Sequence, residues 1–269
     1  MKEKRFGKSI WVCLLIGMLF MGLCGVSVFA EDAEDTTEPV ELYSGTKIVG
    51  TVEVTNKRRA VLVGSYWGSG DVDAELHVIR SVSLDISEEY SGDDAAVVEL
   101  NASNGPSRKA VYVSGSVNGT SVKRSFDEFT GVYAYDITQG SSTFADITGH
   151  VYVSSIHGKA QGIRVNSYSQ SDITVTGSIV AENYYDWACG VSVGAASGSK
   201  ATVTVKDYIA AYSAYGDADG VLANTEFSAD SAATVKVTNY VEANSEKDNG
   251  WTYGVRAMNH GGTINIDVG

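Results

Sequence analysis

Cysteine, histidine and positive charge are all scarce in this chain, and each shortage removes a class of protein. Of three cysteines, Cys13 and Cys24 lie in the first thirty residues. The rest keeps only Cys189, so no internal disulfide can hold it together and stability must come from burial and hydrogen bonding. Four histidines, His77, His150, His157 and His260, show no spacing such as H-x-x-x-H and have no cysteine companions, which argues against zinc. Lys and Arg number 20 against 33 Asp and Glu. Polyanions are repelled by such a balance, and nucleic acid drops out as a partner.

The first thirty residues have an organisation of their own. Lys2, Lys4, Arg5 and Lys8 precede an almost wholly apolar run from Ile10 to Phe29, and Val28-Phe29-Ala30 offers small residues where a signal peptidase reads. This predicts a secretory signal over residues 1–30, cleaved after Ala30, and a secreted or cell-surface location. Left uncleaved, the same run is long enough to anchor the chain in a bilayer, and only then is a membrane a partner. Leu23 before Cys24 makes a poor lipoprotein site. Removing the leader takes away four basic residues and one acid, which leaves 239 residues with 16 basic and 32 acidic side chains. That length suits one sizeable domain. Residues 31–43, beginning EDAEDTTEPVE, gather acid around Pro39 and read as a flexible leader to a folded domain over 44–269.

What the domain has in abundance is repetition. ITVTGSIVAENYYDWACGVSV from Ile173 is answered by VTVKDYIAAYSAYGDADGVLA from Val203, with the same apolar positions. The pattern recurs at Leu76, Val78, Val82 and Leu84, at Val111, Val113 and Val117, at Ala145, Ile147, Val151 and Val153, and at Val235, Val237, Val241 and Ala243. Ile48, Val52 and Val54 begin the series and Ile264 with Ile266 end it. Marked on the second apolar residue, the spacings are 30, 35, 34, 28, 30, 32 and 29. A further short apolar segment follows each copy, as in AVLV from Ala60, GIRV from Gly162, GVSV from Gly190 and GVRA from Gly254. Each unit therefore holds three short strands with apolar residues at period two, one face buried and the other wet. No unit can bury its own face, and stacking supplies the core.

A corner separates the first two strands of each unit. Gly50, Gly115, Gly149, Gly177, Asp207 and Asn239 open it, residues that tolerate left-handed backbone, and the expectation is a sharp bend in that conformation. Arg80 is the exception. Together the alternation, the corner and the period predict an all-β fold, a parallel β-helix of about eight coils. At about 4.8 Å per coil it would be a rod on the order of 40 Å long. From Thr46 to Gly269 the pattern, in segments such as ITVTGSIVA and GVSV, resembles the parallel β-helix of the pectate-lyase-like superfamily and of the passenger regions of bacterial autotransporter-type adhesins. GTINIDV starts a coil that nothing covers before Gly269, so the expectation is the amino-terminal portion of a longer surface protein or a truncated reading frame, with an open coil that invites self-association.

Several motif matches carry little chemistry. Gly190-Val191-Ser192-Val193-Gly194 satisfies G-x-S-x-G, but Ser192 falls between two inward valines rather than on a strand-to-helix turn. Asp217-Ala218-Asp219-Gly220 lacks the further carboxylates of a calcium loop. A calcium ion bridging Asp186 and Asp217 is the one metal arrangement left, and a solvated loop is the simpler reading. Arg164 and Arg256 point outward and would be clamp or base candidates by resemblance to pectate lyases, whose acidic ligand cluster is not evident here. They read as solvated arginines.

The loops before the third strands are more informative. They carry Phe126 and Phe129, then Ile156 and His157, then Tyr184, Tyr185 and Trp187, then Tyr212 and Tyr215, then Trp251 and Tyr253. Stacked coils would line these up along one edge with Asp127, Glu128, Asp186, Asp217, Asp219 and Asp248. Aromatic faces beside carboxylates suit sugar rings, which present C–H faces and hydroxyl donors. The plain alternative is rings packed on one another to shield strand edges. The candidate ligand-binding residues are Tyr184, Tyr185, Asp186, Trp187, Tyr212, Tyr215, Asp217, Asp219, Trp251 and Tyr253, with no catalytic set and no resident cofactor expected. Three functions follow: a non-catalytic surface protein of adhesin or stalk type contacting glycans, a polysaccharide lyase or glycoside hydrolase, and a glycan-binding module without turnover.

Overall fold

Val175 stands between Ile147 and Val205, in parallel register with both. The ladder runs on through Val113 and Val78 in one direction and Val237 in the other, so residues 28 to 35 apart in the chain stack directly. The computed structural model describes residues 33–65, 72–103, 105–124, 127–226, 228–247 and 250–269. The proposed signal, Phe126 and Asp248 lie outside them. Residues 35 to 269 form one compact unit.

Three parallel sheets of eight, seven and eight strands build this unit. The first runs from Gly45–Val49 to Thr263–Val268, the second from Val52–Thr55 to Val241–Ser245, and the third from Val40–Leu42 to Thr252–Asn259. Each pass through them is one turn, giving seven complete turns with a single strand added before and after. The protein is a parallel β-solenoid. Ile173, Val175, Ile179, Ala181, Val191 and Val193 are all buried, as are their counterparts in neighbouring coils. Each such side chain contributes about 1.5–3 kcal/mol by leaving water.

The ends of the repeat differ from expectation. Val49, 5% exposed, pairs with Val78, while Ile48 is 46% exposed and stands beside His77. Two adjacent apolar residues give no alternation by which to choose between them. At the other end Val268 rather than Ile266 lies beside Val237. The acidic stretch is also partly tied down, since Thr36 bridges to Val52 and Val40 is buried in a strand on the first coil.

The corner has a different physical basis from the one expected. Positive φ among the described residues falls at Asn56, at Ser197 and at glycines such as Gly158 and Gly198, and not at Gly115, Gly149, Gly177, Asp207 or Asn239. Glycine is favoured there by the close approach of coils. A Cβ on Gly115 would lie 2.5 Å from the Arg80 carbonyl oxygen, and one on Gly177 would lie 2.6 Å from that of Gly149. The amides of Gly149 and Gly177 donate to the corner carbonyls of Gly115 and Gly149 at 2.9 and 3.0 Å. Further along, side chains take over, and Asn239 Nδ2 donates to Asp207 Oδ1 at 2.8 Å. Arg80 ceases to be an exception, because nothing at this corner demands left-handed backbone; its guanidinium reaches Asp35 at 2.7 Å.

Third-sheet strands begin before the Gly-Val pairs that announce them. Ala188–Ala196 opens two residues ahead of Gly190, and Ala218–Glu226 two ahead of Gly220. The glycines interrupt the paired register, which passes from Cys189↔Asp219 to Val191↔Val221. Residues on both sides of each glycine are buried. The strand therefore bends at this point, and the bend places the candidate site.

Candidate functional site

Thr130, Gln161, Cys189, Asp219 and Tyr253 form one column beside the bend. The first four are buried, although Asp219 meets the partly exposed Trp187 and Arg256 and so faces away from the core. A side chain that points outward yet sees no water lies in a concavity. Along the bend the sheet is hollowed into clefts.

The larger of these clefts is about 310 Å³. Trp187, Asp217, Asp219, Trp251 and Tyr253, half of the residues expected to bind, line it together with Lys159 and Arg256. Asp219, 2% exposed, is its floor. Its Oδ2 accepts the Trp187 indole N–H at 2.8 Å and meets the Arg256 guanidinium at 2.7 Å. Burial raises the Asp219 carboxyl above its ordinary range, against the opposing pull of the Trp187 bond and of Arg256. Arg256, expected to be solvated, is instead held over the Tyr253 ring at 5.3 Å. Asp219 Oδ1 and Arg256 Nε are buried without a hydrogen-bond partner among the described residues. Asp217 Oδ1 accepts the Trp251 backbone amide at 3.0 Å. Beside Asp219 in register, the Cys189 thiol is pushed well above its usual value by burial and by that carboxylate.

The tyrosines of the neighbouring loops gather separately. Tyr184 meets Tyr185 edge-on at 4.6 Å and Tyr215 at 5.0 Å, Tyr185 stacks on Tyr215 at 5.7 Å, and His157 stacks on Tyr185 at 4.6 Å. Three successive coils thus build one surface. Its rings stay open to water, with Tyr184, Tyr185 and Tyr215 exposed by 45, 52 and 54%. A hydrogen bond with Tyr215 raises the Tyr184 phenol.

What holds these loops is a column that sequence reading missed. Ser155, Asn183, Ser213 and Ser245 pair in register at the end of the second sheet. Asn183 takes the Asp186 amide on its Oδ1 and donates to the Gly158 carbonyl. Ser213 Oγ donates to the Asp186 carbonyl at 2.7 Å, and Ser245 Oγ to the Gly216 carbonyl at 2.6 Å. Asn183, Ser213 and Ser245 each link their own coil to the loop before it, while Ser155 Oγ donates to the His157 carbonyl of its own loop. Small hydroxyl residues at a strand end are common, so only their return at the coil period could have marked them.

Two expected members fall elsewhere. Tyr212 lies within the strand Ile209–Ser213 and its hydroxyl donates to Glu242 at 3.1 Å, on the second sheet rather than in the loop. Asp186 spends its carboxylate on the Trp187 amide at 2.7 Å. Phe129, placed with the loop aromatics, is fully buried in the core. Arg164 is not solvated either. It pairs with Glu128 and lies 5.4 Å over Tyr133, beside Asp94 and Glu99 in a smaller cleft of about 180 Å³. Ser192 stands mid-strand in Ala188–Ala196, away from any strand-to-helix turn. Among the described residues no group of three or more His, Cys, Asp or Glu side chains comes together to hold a metal. In comparisons with known proteins, the chain matches no family model, no curated protein and no solved structure.

Proposed function

We propose that this is a non-catalytic, secreted or cell-surface β-helical protein of adhesin or stalk type, related in architecture to pectate-lyase-like and autotransporter-passenger proteins, and that it contacts glycans through its tyrosine edge. The observation that carries this reading is the mutual packing of Tyr184, Tyr185 and Tyr215 while each ring stays about half open to water. Rings held by one another and by serine-anchored loops lose little freedom when a flat C–H face settles on them. Their phenols supply polar partners for hydroxyls. Support for the non-catalytic part comes from the cleft, where the Asp219 carboxylate is held in an internal ion pair with Arg256 and by the Trp187 indole N–H.

Affinity electrophoresis through gels containing neutral or acidic polysaccharides tests the reading. The wild-type protein should be retarded by at least one gel, and Tyr185→Ala with Tyr215→Ala should migrate freely while keeping the wild-type melting temperature. Free migration of the wild type in every gel, or equal retardation of the double variant, overturns it. Release of sugar fragments by the wild type, with or without calcium, would overturn the non-catalytic part.

A further inference from the structure

The cleft beside the bend has charges left over after its internal pairs are made. Asp219 and Arg256 neutralise each other at 2.7 Å. Among the described residues Asp217 accepts only a backbone amide, and Lys159 is exposed with no ion pair. One negative and one positive group therefore line the same cleft unmatched. Between and beside them are aromatic surfaces. Lys159, Trp187, Asp217 and Trp251 follow one another up a single stack, as the amides of Ala160, Ala188 and Ala218 show by donating to the carbonyls of Trp187, Asp217 and Trp251.

We propose that this cleft binds a compact zwitterion, an alkylated ammonium joined by a short link to an acid group. An ammonium shell of methyl groups is held by aromatic faces and a nearby carboxylate, because ring quadrupoles attract the charge while the methyls gain from leaving water. Trp187, Trp251 and Asp217 supply those groups. Tyr253 already hosts a cation of this kind, the Arg256 guanidinium at 5.3 Å, which shows the faces used in that way. The acid group falls to Lys159. Lys159 and Asp217 are two coils apart, roughly 10 Å at about 4.8 Å per coil. A compact zwitterion spans that interval, its methylated ammonium against Asp217 and its acid group against Lys159. A bare cation would meet repulsion from Lys159, and a bare anion repulsion from Asp217. A long zwitterion would overshoot both. The site is separate from the tyrosine edge, and its failure would leave the glycan reading untouched.

Tryptophan fluorescence of the full chain tests the proposal, with phosphocholine and glycine betaine as the two zwitterions. Choline, acetate and the neutral isostere 3,3-dimethylbutan-1-ol serve as the one-charge and no-charge probes. A saturable change is expected in the millimolar range for at least one zwitterion, with choline at least threefold weaker and acetate and the alcohol without effect. Which zwitterion binds tighter tells whether the acid group is a phosphate or a carboxylate. Trp251 is 65% exposed, so Trp251→Ala should leave the melting temperature alone and weaken binding at least tenfold. Lys159→Ala should abolish the preference over choline. Absence of saturation in the wild type, equal binding of the neutral alcohol, or a Lys159→Ala protein that keeps the preference would each overturn the proposal.

Discussion

Trp187 Nε1 donates to Asp219 Oδ2 at 2.8 Å from one coil to the next, and the same oxygen meets Arg256 of the following coil at 2.7 Å. Three coils are thereby joined through one carboxylate at the floor of the cleft. Removing it in Asp219→Ala strands an indole N–H and a half-buried guanidinium, and a loss of about 1–3 kcal/mol is expected in denaturant melts.

The same carboxylate sets a pH dependence. Burial raises its pKa above the ordinary 3.8, so the folded protein holds this proton more tightly than the unfolded chain does. The stabilisation it brings is complete below 3.8 and lost as pH rises through the raised folded value. Compared with Asp219→Asn, the wild type should therefore gain in relative melting temperature as pH is lowered from neutral. A difference that stays constant, or runs the other way, counts against the assignment.

Two glycines in one column should behave oppositely. A Cβ on Gly190 would lie 2.2 Å from Ile209 Cγ2 and 2.7 Å from the Gly220 carbonyl oxygen, whereas one on Gly254 meets nothing within 4 Å. Gly190→Ala is expected to cost about 3 kcal/mol through overpacking against backbone. Gly254→Ala should stay within about 0.5 kcal/mol of wild type. Similar losses in both would mean that the bend needs glycine for its backbone angles.

Val205 is fully buried between Val175 and Val237. Val205→Asp puts an unpaired charge into that stack, at a cost exceeding about 4 kcal/mol, and should abolish cooperative unfolding. A sharp calorimetric transition near the wild-type temperature would contradict the shared core.

Cys189 is buried with its thiol pushed well above the usual value. Thiolate is the reactive form, so alkylation of the native protein should leave the Cys189 peptide unmodified, and denaturant should bring it to full modification within minutes. Peptide mass spectrometry reads the outcome for this cysteine alone.

The inward columns were legible because each depends on two adjacent coils agreeing, and seven repetitions expose the rule. Partnerships across coils were harder. Arg256 looked like any outward arginine, since its tie to Asp219 depends on loop lengths that set which residues stack. Phe129 looked like a loop aromatic because the third strand starts before its Gly-Val pair. The corner glycines were recognised as a column, but crowding by a neighbouring coil and freedom of φ leave the same letter in a sequence. Of the expected binding residues, period alone brought five to one cleft and three tyrosines to one surface. Tyr212 was misplaced by a strand that runs a few residues longer than its apolar pair.

The register of the three sheets also fixes how this protein would yield to tension. With the strands of each coil paired, among the described residues, only to those of the coils before and after, a pull on a chain end loads one rim of the stack and spares the interior. Detaching one turn frees roughly 31 residues, about 100 Å of extended chain, for each 4.8 Å of stack consumed. Force would then be dissipated in a series of long, nearly equal steps, so that the molecule lengthens many-fold before its last ladder parts.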